Sequence, residues 1–274
     1  MTPIVEKNRE RISAMKIVIL GASSGIGREF VRLLAGEKNE IVAVAYDRAG
    51  LDALANEIKS ESGTDIETVC RDLTRADELA YVCERYTDCD FLINSVGGGK
   101  IGDVSSFTLG EDQYYMNLNM WTLHAVTKTT VQKMIAKKRG MLINVCSLAS
   151  FAPMPNFSIY AATKAFTGSY TIAVSKEAKK YGVKIMALCP GPTSDGGDFL
   201  PDDDNRNGRR EKVRGGVLSS TVVARAALKK INKGGIICIP GAMNKFFYLS
   251  YKFLPIGLNN AIIHYIFAKL MNRT

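Results

Sequence analysis

The sequence predicts a single α/β domain of the doubly wound kind, a parallel sheet flanked by helices. Three observations predict it. Short β-branched or apolar runs alternate with segments of helical spacing from one end of the chain to the other. The first such run, Ile17 to Leu20, stops abruptly in a glycine-rich turn, Gly21-Ala22-Ser23-Ser24-Gly25-Ile26-Gly27. Of the 274 residues, 46% are hydrophobic, enough for one sizeable core, and no repeat or linker divides them.

Taken in order, 1–14 form a charged arm, and 16–36 hold the first strand, the glycine turn and the first helix. Ile41 to Ala45 is the second strand. Leu51, Leu54, Ala55 and Ile58 carry helix spacing. Ile66 to Cys70 is the third strand and runs into Arg71-Asp72-Leu73-Thr74; Asp77 to Tyr86 is helical. Phe91 to Asn94 is the fourth strand and ends in Ser95-Val96-Gly97-Gly98-Gly99. A long helix over 111–137 precedes a fifth strand, Met141 to Ser147. A second long helix, 158–181, leads to a sixth strand, Lys184 to Cys189, closed by Pro190-Gly191-Pro192-Thr193. Residues 194–216, rich in Gly and Asp, read as a mobile loop beside a substrate. A helix at 219–232, a last strand at 236–240 and an aromatic, basic extension at 243–274 complete the chain. Strands alternating with helices are βαβ units, and right-handed crossovers bring every strand C-terminus to one edge of the sheet, where ligands bind.

The net charge is +9 and the pI is near 9.2. The basic residues sit in short clusters such as Lys137-Lys138-Arg139 and Lys229-Lys230, with no stripe interleaved with aromatics. Solvated helix faces account for them better than a nucleic-acid site. Six cysteines without a C-x-x-C pair, three of them in strand-like runs (Cys146, Cys189, Cys238), read as buried reduced thiols of a cytoplasmic protein. Two distant histidines, His124 and His264, make no metal site, and none is expected. No apolar run reaches the ~18 residues of a spanning helix, and residues 2–15 lack the apolar centre of a signal peptide.

Two motifs carry chemistry. In the glycine turn the backbone approaches a ligand with no Cβ in the way, and the following helix N-terminus offers N–H groups and partial positive charge to phosphates. In Tyr160-Ala161-Ala162-Thr163-Lys164 the i, i+4 spacing puts a phenol and an ammonium on one helix face. The ammonium is expected to lower the phenol's pKa toward neutrality, as a general acid/base requires. Ser147 ends the preceding strand, where its hydroxyl can meet a carbonyl or a developing alkoxide.

The G-x-x-x-G-x-G spacing, Ser147 thirteen positions before Tyr160, and the YxxxK motif together resemble the short-chain dehydrogenase/reductase family in its single-domain branch. Asn94-Ser95-Val96-Gly97 resembles that family's NNAG turn, with Ser95 and Val96 as departures. Asp72-Leu73 resembles its adenine-contacting turn, and Pro190-Gly191-Pro192-Thr193 the segment whose threonine meets the nicotinamide carboxamide. The resemblance spans about 17–193 and implies a Rossmann-type fold and an NAD(P)-dependent oxidoreductase. It implies catalytic Asn119, Ser147, Tyr160 and Lys164, with Asn119 chosen over Asn117 because it stands fifteen residues before Met134. Asn119 would hold a proton-relaying water, and Lys164 would also bind the nicotinamide ribose. The implied cofactor contacts are Gly21, Ser23, Ser24, Gly25, Ile26, Gly27, Tyr46, Asp47, Arg48, Asp72, Leu73, Asn94, Lys164, Pro190, Gly191 and Thr193.

Counted from Gly21, the family's NAD-selecting aspartate position falls on Ala45 and its NADP-selecting arginine position on Tyr46, while Ser24 stands at the other basic position. Asp47 would repel a 2′-phosphate and Arg48 would attract one, so NAD(H) and NADP(H) both stay open, with a slight lean to NAD(H). Phe151, Pro153, Met154, Pro155 and Phe157 are expected to wall an apolar pocket, and a bulky ketone or alcohol such as a steroid, bile acid or acyl chain would suit it. The extension at 243–274 has three readings: core or interface packing, which ranks first, lining of the substrate site, or contact with a membrane surface. Family resemblance implies a homodimer or homotetramer. The alternative function is a catalytically silent dinucleotide-binding sensor or scaffold. A sugar-nucleotide epimerase or dehydratase is disfavoured by the glycine spacing.

Overall fold

The computed structural model describes residues 12, 14–36, 38–194 and 217–253. The expected arm therefore lies outside the described residues apart from Ile12 and Ala14, as do 195–216 of the expected loop and 254–274 of the extension.

Seven parallel strands form one sheet in the order β3-β2-β1-β4-β5-β6-β7. They are β1 (Lys16–Leu20), β2 (Glu40–Ala45), β3 (Glu67–Cys70), β4 (Phe91–Asn94), β5 (Gly140–Val145), β6 (Val183–Leu188) and β7 (Ile237–Cys238). The helices are α1 (Gly25–Leu34), α2 (Arg48–Ser62), α3 (Ala76–Arg85), α4 (Leu109–Met116), α5 (Thr122–Lys137), α6 (Ser158–Lys179), α7 (Ser220–Asn232) and α8 (Ala242–Phe253). Side chains alternate across the strands. Ile17 and Ile19 face a core completed by Phe30 of α1, Leu54 of α2 and Ile231 of α7. Val18 and Leu20 face the opposite core, with Leu79 of α3, Val126 of α5 and Ala178 of α6. Apolar side chains on both faces are what a fully covered parallel sheet requires. This is the Rossmann-type, doubly wound single domain predicted from the pattern.

Three elements differ from expectation. The last strand keeps only Ile237–Cys238, because its one sheet neighbour, β6, pairs with it at Ala187 and Leu188 alone. The fifth strand stops at Val145, since Ser147 turns away as the N-cap of the short 3₁₀ turn Leu148–Phe151. The long helix is interrupted between α4 and α5 by a π-type turn, Asn117–Trp121, in which the Thr122 N–H reaches back five residues to the Asn117 carbonyl.

The sheet order reverses between β1 and β4, which both leave the sheet at the same level: Leu20 pairs with Val44 on one side and Asn94 on the other. Gly21 N–H donates to Val44 O at 2.8 Å, and Ser95 N–H to Leu20 O at 2.9 Å. Chains diverging from such a switch point open the crevice in which doubly wound sheets bind ligands.

Candidate active site

The glycine turn is held by backbone packing. Gly21 has φ +74°, and a Cβ on it would come within 2.9 Å of the Ser95 backbone. A Cβ on Gly27 would lie 2.0 Å from the Gly21 carbonyl oxygen, so no other residue fits there. Gly25 has φ +50° and opens α1, whose N-cap Ser24 contributes no side-chain bond. The first turn of α1 thus presents its N–H groups to the crevice beside β4, the arrangement that accepts a pyrophosphate.

Beside the glycine turn, Asp47 caps α2, its Oδ1 accepting from Gly50 N at 3.1 Å. The Cβ position of Gly50 lies 2.3 Å from Asp47 Oδ2 and 3.0 Å from Ser23 Cβ, so the carboxylate stands against the glycine turn. Tyr46 and Arg48 on either side are exposed. The Asp72 carboxylate is bound locally, accepting from Thr74 N at 3.0 Å and Thr74 Oγ1 at 2.7 Å. The Leu73 side chain is buried in the sheet core and its carbonyl accepts from Thr122 Oγ1 at 2.9 Å, which leaves its N–H to meet a ligand. Asn94 is buried; its Oδ1 accepts from Val96 N at 3.2 Å, but its Nδ2 has no partner. An orphaned buried donor at the mouth of the crevice, beside a glycine cradle that Cβ atoms would fill, fits a dinucleotide.

The second half of the site centres on Tyr160, in the first turn of α6. Phe157 stacks on its ring with centroids 4.2 Å apart. Gly99 lies against the same ring, where a Cβ would come within 2.6 Å of Tyr160 Cδ2. Ser147 hydrogen-bonds to Tyr160, and its Oγ also accepts from Ala149 N at 3.1 Å. Lys164 is buried, its Nζ donating to Val145 O at 3.2 Å and lying 5.6 Å from the Tyr160 ring centroid.

The electrostatics correct the expectation of a phenol softened by its lysine. Burial of the hydroxyl pushes the Tyr160 pKa up to about 12; the Ser147 bond opposes this but does not prevail. Burial likewise pushes Lys164 down from the ordinary lysine value. Two groups that share a desolvated site both drift toward their neutral forms, and the ammonium points at a carbonyl rather than at the phenol.

Asn119 is 1% exposed. Its Nδ2 donates to Gly98 O at 2.8 Å and to Thr163 Oγ1 at 3.0 Å, while its Oδ1 accepts from Gly98 N at 3.0 Å. The amide is therefore spent on clamping the glycine arm to α6. A Cβ on Gly97 would meet Lys164 Nζ at 2.8 Å and Asn119 Oδ1 at 3.0 Å, so the arm, the lysine and the asparagine touch at one point.

The closing segment is shaped by neighbours. Pro190 O accepts from Leu148 N at 2.9 Å, Gly191 packs against Asn244 of α8, and Thr193 bridges to Leu218. All sixteen expected cofactor contacts lie among the described residues along the C-terminal edge of the sheet. Cys146 and Cys189 hydrogen-bond one another beneath Lys164; that bond holds the Cys146 thiol below, and the Cys189 thiol above, the ordinary value. All six cysteines are free, and no group of three or more metal-ligating residues occurs among the described residues.

Beside Tyr160 lies a shallow surface cleft, with an interior volume of about 10 Å³, lined by Gly99, Lys100, Phe107, Asp112, Tyr115 and Ile159. The expected wall is only partly there. Phe157 backs the Tyr160 ring, and Phe151 turns instead to Tyr248 of α8, with centroids 4.7 Å apart. Phe107 and Tyr115 had no sequence signal, being ordinary aromatics in a segment that matches no motif.

A family model described as short chain dehydrogenase matches residues 15–198. The chain belongs to the short chain dehydrogenase family. Mouse 17-beta-hydroxysteroid dehydrogenase type 3 is 30% identical over 177 residues, which are 63% of this chain and 58% of that protein. The alignment thus spans less than two thirds of that relative's length. The bulky-bulky ketone specific alcohol dehydrogenase from Comamonas testosteroni is 25% identical, with a TM-score of 0.73 over 86% of this chain and 90% of that one. A short-chain dehydrogenase from Sphingobium yanoikuyae, solved in complex with NADPH, is 26% identical, with a TM-score of 0.72 over 94% and 96%. The family it belongs to is one of NAD(P)-dependent oxidoreductases.

Proposed function

We propose that this protein interconverts a ketone and a secondary alcohol of a bulky, largely apolar molecule, with Tyr160 as the proton donor and acceptor. The observation that carries the reading is the enclosed Tyr160 hydroxyl, bonded to Ser147 and facing a cleft that adjoins the glycine arm. A bound nicotinamide supplies hydride exchange at the carbonyl carbon. The chain's own residues do the rest. The first turn of α1 and Gly21, Ser23, Ser24, Gly25, Ile26 and Gly27 hold the pyrophosphate. The Asn94 amide and the Pro190 to Thr193 segment orient the nicotinamide end, and Lys164 holds its ribose. Ser147 steadies the substrate oxygen. Tyr160, whose proton stays on the phenol at neutral pH, stands as a general acid, the form that ketone reduction uses. Asn119 acts by fixing the Gly98 backbone and Thr163 against these groups.

The apolar substrate is supported by Phe107, Tyr115 and Ile159 in the cleft and by the mouse and Comamonas relatives, named for a hydroxysteroid and for bulky ketones. Turnover of small polar ketones as fast as bulky apolar ones would sink it. For the cofactor we read a slight preference for NAD(H), because the Asp47 carboxylate beside Ser23 repels a 2′-phosphate. Titration with NADH and NADPH, following the cofactor's own fluorescence, tests it. Tighter NADPH binding would transfer the decision to Arg48. We also read the protein as a homodimer or homotetramer, measurable by light scattering. Tyr160→Phe separates the enzyme from a silent dinucleotide-binding sensor: loss of turnover with cofactor binding kept supports the enzyme.

A further inference from the structure

Helix α8 carries its apolar residues on two sides. Its inner side is fixed to the site. Asn244 is buried, donates from Nδ2 to Pro240 O at 2.9 Å and packs on Gly191, while Tyr248 meets Phe151. Its outer side carries Met243, Phe246, Leu249 and Phe253, which are 48%, 63%, 48% and 74% exposed. At 100° per residue these four fall within an arc of about 120°. Lys245 and Lys252, two turns apart and exposed, flank that arc on one side.

The charge of the chain has a direction that the total hides. Residues 1–211 carry 26 Lys or Arg against 27 Asp or Glu, a net of −1. Residues 212–274 carry ten Lys or Arg and no Asp or Glu at all. The whole positive balance of the protein is therefore in its last 63 residues. Its described members include Lys229 and Lys230 of α7 and Lys245 and Lys252 of α8.

We propose that the outer face of α8 docks this protein on an anionic lipid surface. Four large apolar side chains in one stripe, with cations along its border, match the interfacial helix that sinks its apolar side to the headgroup boundary and leaves its lysines among the phosphates. A second copy of the same face is the weaker occupant. A two-fold contact would set two segments without a single acidic residue against each other. Nucleic acid has no use for the stripe. The inner side of the docked helix packs on Phe151 and Gly191, next to the site. The docking itself stands apart from the catalytic reading.

Sedimentation of the full chain with vesicles tests it. One set is phosphatidylcholine alone, the other an equal mixture with phosphatidylglycerol. The protein is expected to sediment with the mixed vesicles, to stay in solution with the neutral ones, and to be released by salt. Phe246→Ser with Phe253→Ser, and separately Lys245→Glu with Lys252→Glu, should each weaken binding by about tenfold or more while NADH affinity is unchanged. No binding to either vesicle overturns the proposal, and so does full binding by both variants. Loss of an oligomer in the Phe246→Ser, Phe253→Ser variant, seen by light scattering without any vesicle binding, overturns it in favour of a second copy.

Discussion

The molecule has two glycine segments facing one crevice, and they need glycine for different reasons. In the turn after β1 the missing Cβ atoms would strike backbone: the Gly21 carbonyl from Gly27, and the Ser95 main chain from Gly21. In the arm after β4 they would strike side chains: Lys164 and Asn119 from Gly97, Tyr160 and Phe157 from Gly99. The first segment is part of the frame, and a substitution there must move strands. The second is a template against which reactive groups are set, and a substitution there moves the groups while the frame stands. On the proposed reading, binding and chemistry are thus separable along the same crevice.

Substitutions can break or sharpen that contrast. The largest effect on rate is expected from Tyr160→Phe, a loss of about 10³-fold in kcat with NADH affinity unchanged. An unchanged rate would remove Tyr160 from the chemistry. Gly27→Ala should show the largest effect on the frame, a loss of about 4 kcal/mol or more in urea unfolding together with loss of NADH binding. Gly97→Ala should lower kcat by about 10- to 100-fold by displacing Lys164 and Asn119, with the unfolding midpoint nearly unchanged. If it unfolds the protein as Gly27→Ala does, the contrast between frame and template fails.

A subtler test is ultraviolet difference titration of the wild type against Tyr160→Phe. The missing phenol should titrate near 12, above the ordinary value of 10.0. Because the folded pKa is the higher, the stability this group contributes is fully present below pH 10 and is lost as pH rises toward 12. The smallest effect is expected from Gly98→Ala, within about 0.5 kcal/mol, since a Cβ there meets only Leu118 and Tyr115 at 3.5 Å or more.

Most of the frame was legible because it is written in period. β-branched runs between helix-spaced segments gave seven strands in the right order, with boundaries displaced by a residue or two. Tyr160, Lys164 and Ser147 stood out because a phenol, a lysine and a serine at that spacing share one chemical use, and the structure brings the Ser147 hydroxyl to Tyr160. Polar side chains engaged in packing were not. Asn144 lies in the middle of the sheet core, donating to Thr127 at 3.1 Å and Thr171 at 3.0 Å, yet in sequence it is only a polar interruption of a strand. The direction of the Tyr160 shift was read wrongly for a related reason. Spacing places an ammonium beside a phenol but says nothing of how much water either retains. The cleft walls, Phe107 and Tyr115, come from a segment with no motif, where only the fold decides what an aromatic ring faces.

The π-type turn at Asn117–Trp121 has one more consequence. One extra residue in a helix advances everything beyond it by about 100° around the axis. The two halves of that helix are therefore out of phase. The first half offers Asp112 and Tyr115 to the cleft, while the second buries Val126, Thr127 and Met134 against the sheet. Asn119 sits within the slip itself. A deletion of a single residue there would restore an unbroken helix and turn the cleft wall away from Tyr160, leaving the sheet face of α5 in register. Within this one helix, the part that lines the cleft can drift in sequence without dragging the part that carries the fold.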